Sequence, residues 1–83
     1  MLIHSPADLS MLIKNQRKKL NLTQIAVGEL VGLQQKTISA IENEPETVKL
    51  STLFRILSAL DLEMKVLTKK QSDKITNQWV DEW

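Results

Sequence analysis

Five residues in a short run, Gln34, Gln35, Lys36, Ser39 and Ala40, carry the chemistry most worth explaining in this chain. Glutamine bonds bidentately to adenine, lysine donates to guanine, serine donates or accepts, and alanine lies against a thymine methyl. The set therefore suits the reading of base edges in a DNA major groove. On an arbitrary amphipathic helix the same composition is ordinary solvated surface. Here Gly32 stands just before the run, and Ile38 and Ile41, three apart, give the segment one apolar side. The start of such a helix also attracts phosphate, which makes Thr37 a phosphate candidate.

Catalysis finds no footing in the remaining residues. There is one histidine, His4, no glycine-rich phosphate loop and no nucleophile placed beside a base, while the carboxylates fall at helix starts and loops where solvation or ion pairing accounts for them. The absence of cysteine excludes disulfides and thiolate metal sites, and a lone histidine offers no ligand cluster, so neither metal nor cofactor is expected. No apolar run approaches the roughly 20 residues that span a bilayer, and the opening MLIHSP lacks the basic flank and long apolar core of a secretion signal. A cytoplasmic, nucleoid-associated protein with no membrane partner is the expectation. Net charge is only +1, but it is segregated: Lys14, Arg17, Lys18 and Lys19 cluster ahead of the recognition segment and Glu42, Glu44 and Glu46 after it. The small total is therefore uninformative.

The elements that must position the run follow from pattern. A chain of 83 residues, 42% hydrophobic, with two glycines and two prolines, supports one small helical core built on Leu and Ile. Ser5, Pro6 and Asp8 form a helix start, and Leu9, Leu12, Ile13 and Leu20 the apolar stripe of a helix reaching about Leu20. Lys14 and Lys18 lie off that stripe, facing either phosphates or solvent. Asn21 and Leu22 make a tight connection and Thr23 caps a second helix beginning with Gln24. Gly28 allows two short helices to cross closely despite the cost of glycine inside a helix, about 1 kcal/mol. Gly32 suits the helix end and turn, and Leu33 folds back as an anchor. Residues 44–47 read as a loop, with Lys49 at its end as a phosphate candidate, and a further helix over 50–60 presents Leu53, Phe54, Ile56, Leu57 and Leu60, with Phe54 read as core.

The pattern then changes. Residues 62–68 alternate, with Leu62, Met64 and Val66 on one side, which predicts a strand. A lone strand leaves backbone groups unpaired, so the economical partner is a second copy of the chain, pairing antiparallel about a two-fold axis. A further helical turn with no special role is the alternative. A homodimer of this kind would present two recognition helices to an inverted-repeat operator in double-stranded DNA. Residues 1–68 thus form a DNA-binding and dimerisation domain and 69–83 a flexible tail. In that tail Ile75, Trp79 and Trp83 recur every four residues, so a helix formed on binding places all three on one face. Tryptophan is prominent in interfaces, which favours a docking segment for another protein over a tail that packs back on its own domain.

Residues 10–60 resemble the repressor-type (XRE) helix-turn-helix family, whose pattern is met by Gln24, Gly28, Gly32, Ile38 and Ile41. The resemblance implies an all-α, lambda-repressor-like bundle of four to five helices. It also implies that Gln24 approaches a phosphate and braces Gln35, and that Arg17 pairs with Glu42 as a structural ion pair. Residues 5–68, with a tail ending in Trp83, resemble more closely the HipB-type antitoxins. That resemblance implies a transcriptional autorepressor that binds a HipA-type serine/threonine kinase toxin, with Trp83 touching the kinase; Trp79 has no assignable counterpart. A stand-alone dimeric repressor and a protein-binding adaptor are the alternatives.

Overall fold

The computed structural model describes residues 2–72. Four helices and one final helical turn follow one another: α1 Pro6–Lys19, α2 Gln24–Val31, α3 Gln35–Asn43, α4 Leu50–Ala59 and the single turn α5 Lys69–Ser72. The first is launched by a side-chain cap. Ser5 Oγ accepts from the Asp8 N–H at 3.1 Å, satisfying a donor that a helix start otherwise leaves open, while Asp8 Oδ2 accepts from the N–H of His4, the residue before the cap, at 3.0 Å. Thr23 Oγ1 does the same for α2, accepting from the Ala26 N–H at 3.0 Å. Between α3 and α4 the expected loop is a single 3-10 turn, Pro45–Thr47. Glu44, with φ −137°, leaves the helical region, as a residue before proline must, and Pro45 then starts the tighter turn.

Three helices end by one device. Asn21, Gly32 and Asp61 adopt left-handed φ of 59°, 71° and 57°. The following leucine N–H then bonds back across the helix end: Leu22 to Arg17 O at 3.1 Å, Leu33 to Gly28 O at 2.8 Å and Leu62 to Leu57 O at 2.9 Å. Those three leucines pack, partly buried, against the core. Long side chains satisfy further carbonyls at these ends. Arg17 Nη1 donates to Leu22 O at 2.9 Å, Gln16 Nε2 to Leu60 O at 3.0 Å, and Arg55 Nη2 to Val31 O.

The core draws on all four helices. Ile13 of α1, Val27 of α2, Ile38 of α3 and Ile56 of α4 are fully buried with Leu60, and Ile41, Leu53 and Leu57 complete the cluster. Each such side chain contributes about 1.5–3 kcal/mol of burial. Phe54 is not among them, contrary to its reading as core: it is 49% exposed. The inward stripe of α4 is Leu53, Ile56, Leu57 and Leu60, and Phe54, one residue on from Leu53, is turned about 100° off it. Leu20, placed in the α1 stripe by spacing, is the C-cap and lies exposed.

No strand is formed among the described residues. Residues 62–68 follow α4 without regular secondary structure; Leu62 is half-buried, while Met64 and Val66 are 45% and 73% exposed. A strand is defined by the neighbouring strand it ladders with, and the described residues form no other strand. The expected tail contacts Ile75, Trp79 and Trp83 lie outside the described residues.

Candidate nucleic-acid interface

The turn between α2 and α3 is set by backbone contact. A Cβ on Gly28 would stand 2.4 Å from the Leu33 carbonyl oxygen, so the atom that demands glycine belongs to the turn itself rather than to α3. This close approach lets α2 and α3 pack tightly. Ile38 and Ile41 turn inward and the opposite face of α3 turns out. Gln35 and Lys36 are exposed, Ser39 and Ala40 half-buried at the edges of that face, and Gln34 is the exposed N-cap rather than the first helical residue. The Gln34 side chain makes no capping bond, so no side chain of its own closes the positive end of α3. Thr37 is half-buried in the first turn, and Lys49 is the exposed N-cap of α4.

A polar relay connects the outward face to the interior. Arg17 Nε lies 2.6 Å from Glu42 Oε2 and Arg17 Nη2 lies 3.0 Å from Glu42 Oε1, a two-point ion pair whose Glu42 side chain is only 1% exposed. Glu42 belongs to the last turn of α3, not to the segment beyond it. Gln24 Nε2 also donates to Glu42 Oε1, at 3.2 Å, and Gln24 Oε1 accepts from Gln35 Nε2 at 2.6 Å. The polarity of this chain is forced. An ionised carboxylate only accepts, so Gln24 must turn its nitrogen toward Glu42 and its oxygen toward Gln35, and Gln35 must donate inward. Gln35 is left with Oε1 and its second N–H free, the pair of groups that adenine requires.

The ionisation of the pair follows from the same contacts. Burial pushes the Glu42 carboxyl up, but bonds from Arg17 and Gln24, with the charges of Arg17 and Lys14, outweigh it and leave the group below the usual carboxylate range. The bond to Glu42 holds the Arg17 guanidinium above its ordinary value, against a smaller opposing effect of burial. Both partners are therefore charged at neutral pH, and no buried side-chain polar atom among the described residues lacks a partner.

Structure thus brings Arg17, Gln24, Gln35 and Glu42 into one network, and sets Lys36, Ser39 and Ala40 beside it on the same helix. Two participants escape sequence reasoning. Asn43 donates to Ser39 from the end of α3, a contact signalled only by the four-residue spacing. Arg55 closes the end of α2 from α4, and no local pattern announces a bond across so many residues. Among the described residues no group of acidic, histidine or cysteine side chains is placed to hold a metal, and no helix is long and apolar enough to cross a membrane.

Comparison with known proteins agrees with this geometry. The helix-turn-helix family matches residues 13–67. Antitoxin HipB of Escherichia coli (strain K12) is 37% identical over 82 residues, covering 98% of this chain and 93% of the relative. A second Antitoxin HipB, of Escherichia coli O6:H1, is 35% identical over 82 residues, covering 98% of this chain and 87% of the relative. Among solved structures, the HipA-HipB-O2-O3 complex contains a chain that superimposes with a TM-score of 0.80 at 35% identity, over 83% of this chain and 97% of that one. A HipB-O4 20mer complex matches with the same score and coverage.

Proposed function

Since the chain belongs to the helix-turn-helix family, and within it to the HipB-type antitoxins, we propose that it is a DNA-binding antitoxin that represses the operon of a HipA-type kinase toxin. It works as a homodimer on operator DNA and has the HipA-type kinase as its protein partner, acting by binding rather than by catalysis, in the cytoplasm and at the nucleoid. The observation that carries the reading is the outward face of α3, where Gln35 is held by Gln24 with its free amide edge presented to solvent.

In this mechanism the two-fold of the dimer sets two α3 helices about one helical turn of DNA apart, roughly 34 Å, in successive major grooves. Gln34, Gln35, Lys36, Ser39 and Ala40 meet base edges. Gln24, Thr37 and Lys49 meet phosphates, and the uncapped start of α3 adds a favourable field for them. The Arg17–Glu42 pair contacts no base; it fixes Gln24, which fixes Gln35, so the reading amide is oriented before DNA arrives. Leu62, Met64 and Val66 form the strand that pairs with the partner subunit's copy. Residues 1–68 suffice for DNA binding and dimerisation, and residues 69–83 carry Ile75, Trp79 and Trp83 to the kinase.

The test has two arms. Binding to the inverted repeat upstream of the chain's own gene, followed by fluorescence anisotropy, should weaken in Gln35→Ala with Lys36→Ala by about 1–3 kcal/mol for each lost base contact. Retained affinity overturns the assignment of α3. In a pull-down from native cells, the full chain should recover a HipA-type kinase and a chain cut after Thr68 should not. Equal recovery by both removes the tail from the toxin contact.

A further inference from the structure

Ser39 is a base-reading residue proposed above whose single polar atom is ambiguous, because a hydroxyl oxygen both donates and accepts. Its neighbour one turn on removes part of that ambiguity. Asn43 Nδ2 lies 2.9 Å from the Ser39 carbonyl oxygen and 3.1 Å from Ser39 Oγ. The amide orientation is settled by the carbonyl, which only accepts, so the nitrogen of Asn43 must face Ser39 and the bond to Oγ must be donated by the amide. The hydroxyl then receives a proton from the next turn of the helix, and its own O–H is left to point elsewhere. Asn43 is exposed and lies on the outward face of α3, opposite Ile38, Ile41 and Glu42.

We propose that Asn43 is a specificity-determining positioning residue that polarises Ser39, so that the Ser39 hydroxyl acts as a donor toward the DNA and selects bases with an acceptor in the major groove. The eligible acceptors are guanine O6 and N7, adenine N7 and thymine O4; the cytosine N4 donor is disfavoured at the base pair Ser39 reaches. This rests on the reading of α3 as the recognition helix. The relay through Gln24 performs the same service for Gln35 one turn earlier, with a carboxylate setting the polarity. Gln35 and Ser39 are thus each given a direction by a neighbour that itself never needs to touch a base.

The experiment compares wild type, Ser39→Ala, Asn43→Ala and Asn43→Asp on a panel of operators carrying every single base substitution, with affinities expressed as ratios to the natural operator. Ratios cancel the uniform loss that an added negative charge causes near phosphates. Ser39→Ala identifies the base pair at which the hydroxyl discriminates. At that position Asn43→Ala should flatten discrimination by about five- to tenfold, the scale of one hydrogen bond. Asn43→Asp should reverse it, because an aspartate accepts from the Ser39 O–H and turns an Oγ lone pair outward, favouring cytosine N4 or adenine N6. In a Ser39→Ala background both Asn43 substitutions should leave the ratios unchanged. A merely structural Asn43 would change melting temperature or all affinities together and leave the ratios alone, which overturns the proposal. Discrimination that depends on Ser39 but ignores Asn43 overturns it while sparing α3 as the reader. If Ser39→Ala changes no ratio, Ser39 reads no base, and both the proposal and that part of the recognition face fall.

Discussion

The outward face of α3 and the segment after α4 both expose side chains, and the exposed chemistry differs. On α3, Gln35 and Asn43 are polar groups held by bonds within the chain: Gln35 through Gln24 to Glu42 and Arg17, and Asn43 to Ser39. In residues 62–68 the exposed groups include two large apolar ones, Met64 and Val66, set among exposed Glu63, Lys65 and Thr68, and the two border a groove of about 550 Å³ that also involves Leu2, Ile3, Leu9 and Leu57. The first surface is complete in one chain, because the polar partners it needs are its own. The second is left open among the described residues, and apolar side chains at such exposure mark an interaction surface. Rigid reading of DNA requires the former; assembly requires the latter.

The comparison breaks most sharply at the foundation of the α3 face. Glu42→Ala leaves the Arg17 guanidinium without its charge partner in a largely buried place and should cost about 3–5 kcal/mol, measured by urea unfolding. That is most of the stability of a domain this size, about 5 kcal/mol or a little more. Glu42→Gln keeps the shape and some of the bonds and should lose less. Gly28→Ala follows, at about 2–3 kcal/mol in the same measurement, because the new Cβ meets the immovable Leu33 carbonyl at 2.4 Å. Should either variant keep full stability, the α3 face is not held in the way its bonds suggest.

The second region answers to a different measurement. Met64→Pro should leave the helical content of α1 to α4 intact and reduce the mass found by light scattering from dimer to monomer, since proline removes a ladder donor from a paired strand. An unchanged mass moves the dimer interface elsewhere. The smallest effect distinguishes the regions by pH. Glu42 has a lowered pKa in the folded chain, so its contribution is present above the unfolded carboxylate value of about 4.3 and is lost as pH falls through the lower folded value. Urea midpoints should therefore fall on acidification below about pH 4 in the wild type, and less so in Glu42→Gln. Dimer mass should not follow that titration while the domain stays folded.

Local signals carried the fold a long way. The cap at Ser5 with Asp8, the cap at Thr23, the left-handed Gly32 and the inward Ile38 and Ile41 are short-range features, fixed by backbone sterics and by residues within a turn of each other, so spacing alone reveals them. Gln24, Arg17 and Glu42 were visible in a different way, through likeness to a family, because bonds spanning 18 and 25 residues leave no local trace. Phe54 shows where pattern misleads: Leu53 and Phe54 are equally apolar in sequence, and only the position of α4 against the other helices turns one in and the other out. Arg55 reaching Val31 O had no signal at all.

The chain by itself therefore determined where its helices begin and end, which glycine must turn, and which residue types face outward from α3, since each depends on dihedral limits, caps and periodicity that neighbours in sequence impose. Tertiary structure decided the directions of the polar groups. Whether Gln35 gives or takes a proton depends on a buried carboxylate brought against Gln24 from the far end of α3 and held there by an arginine of α1, and only packing in three dimensions puts those charges together.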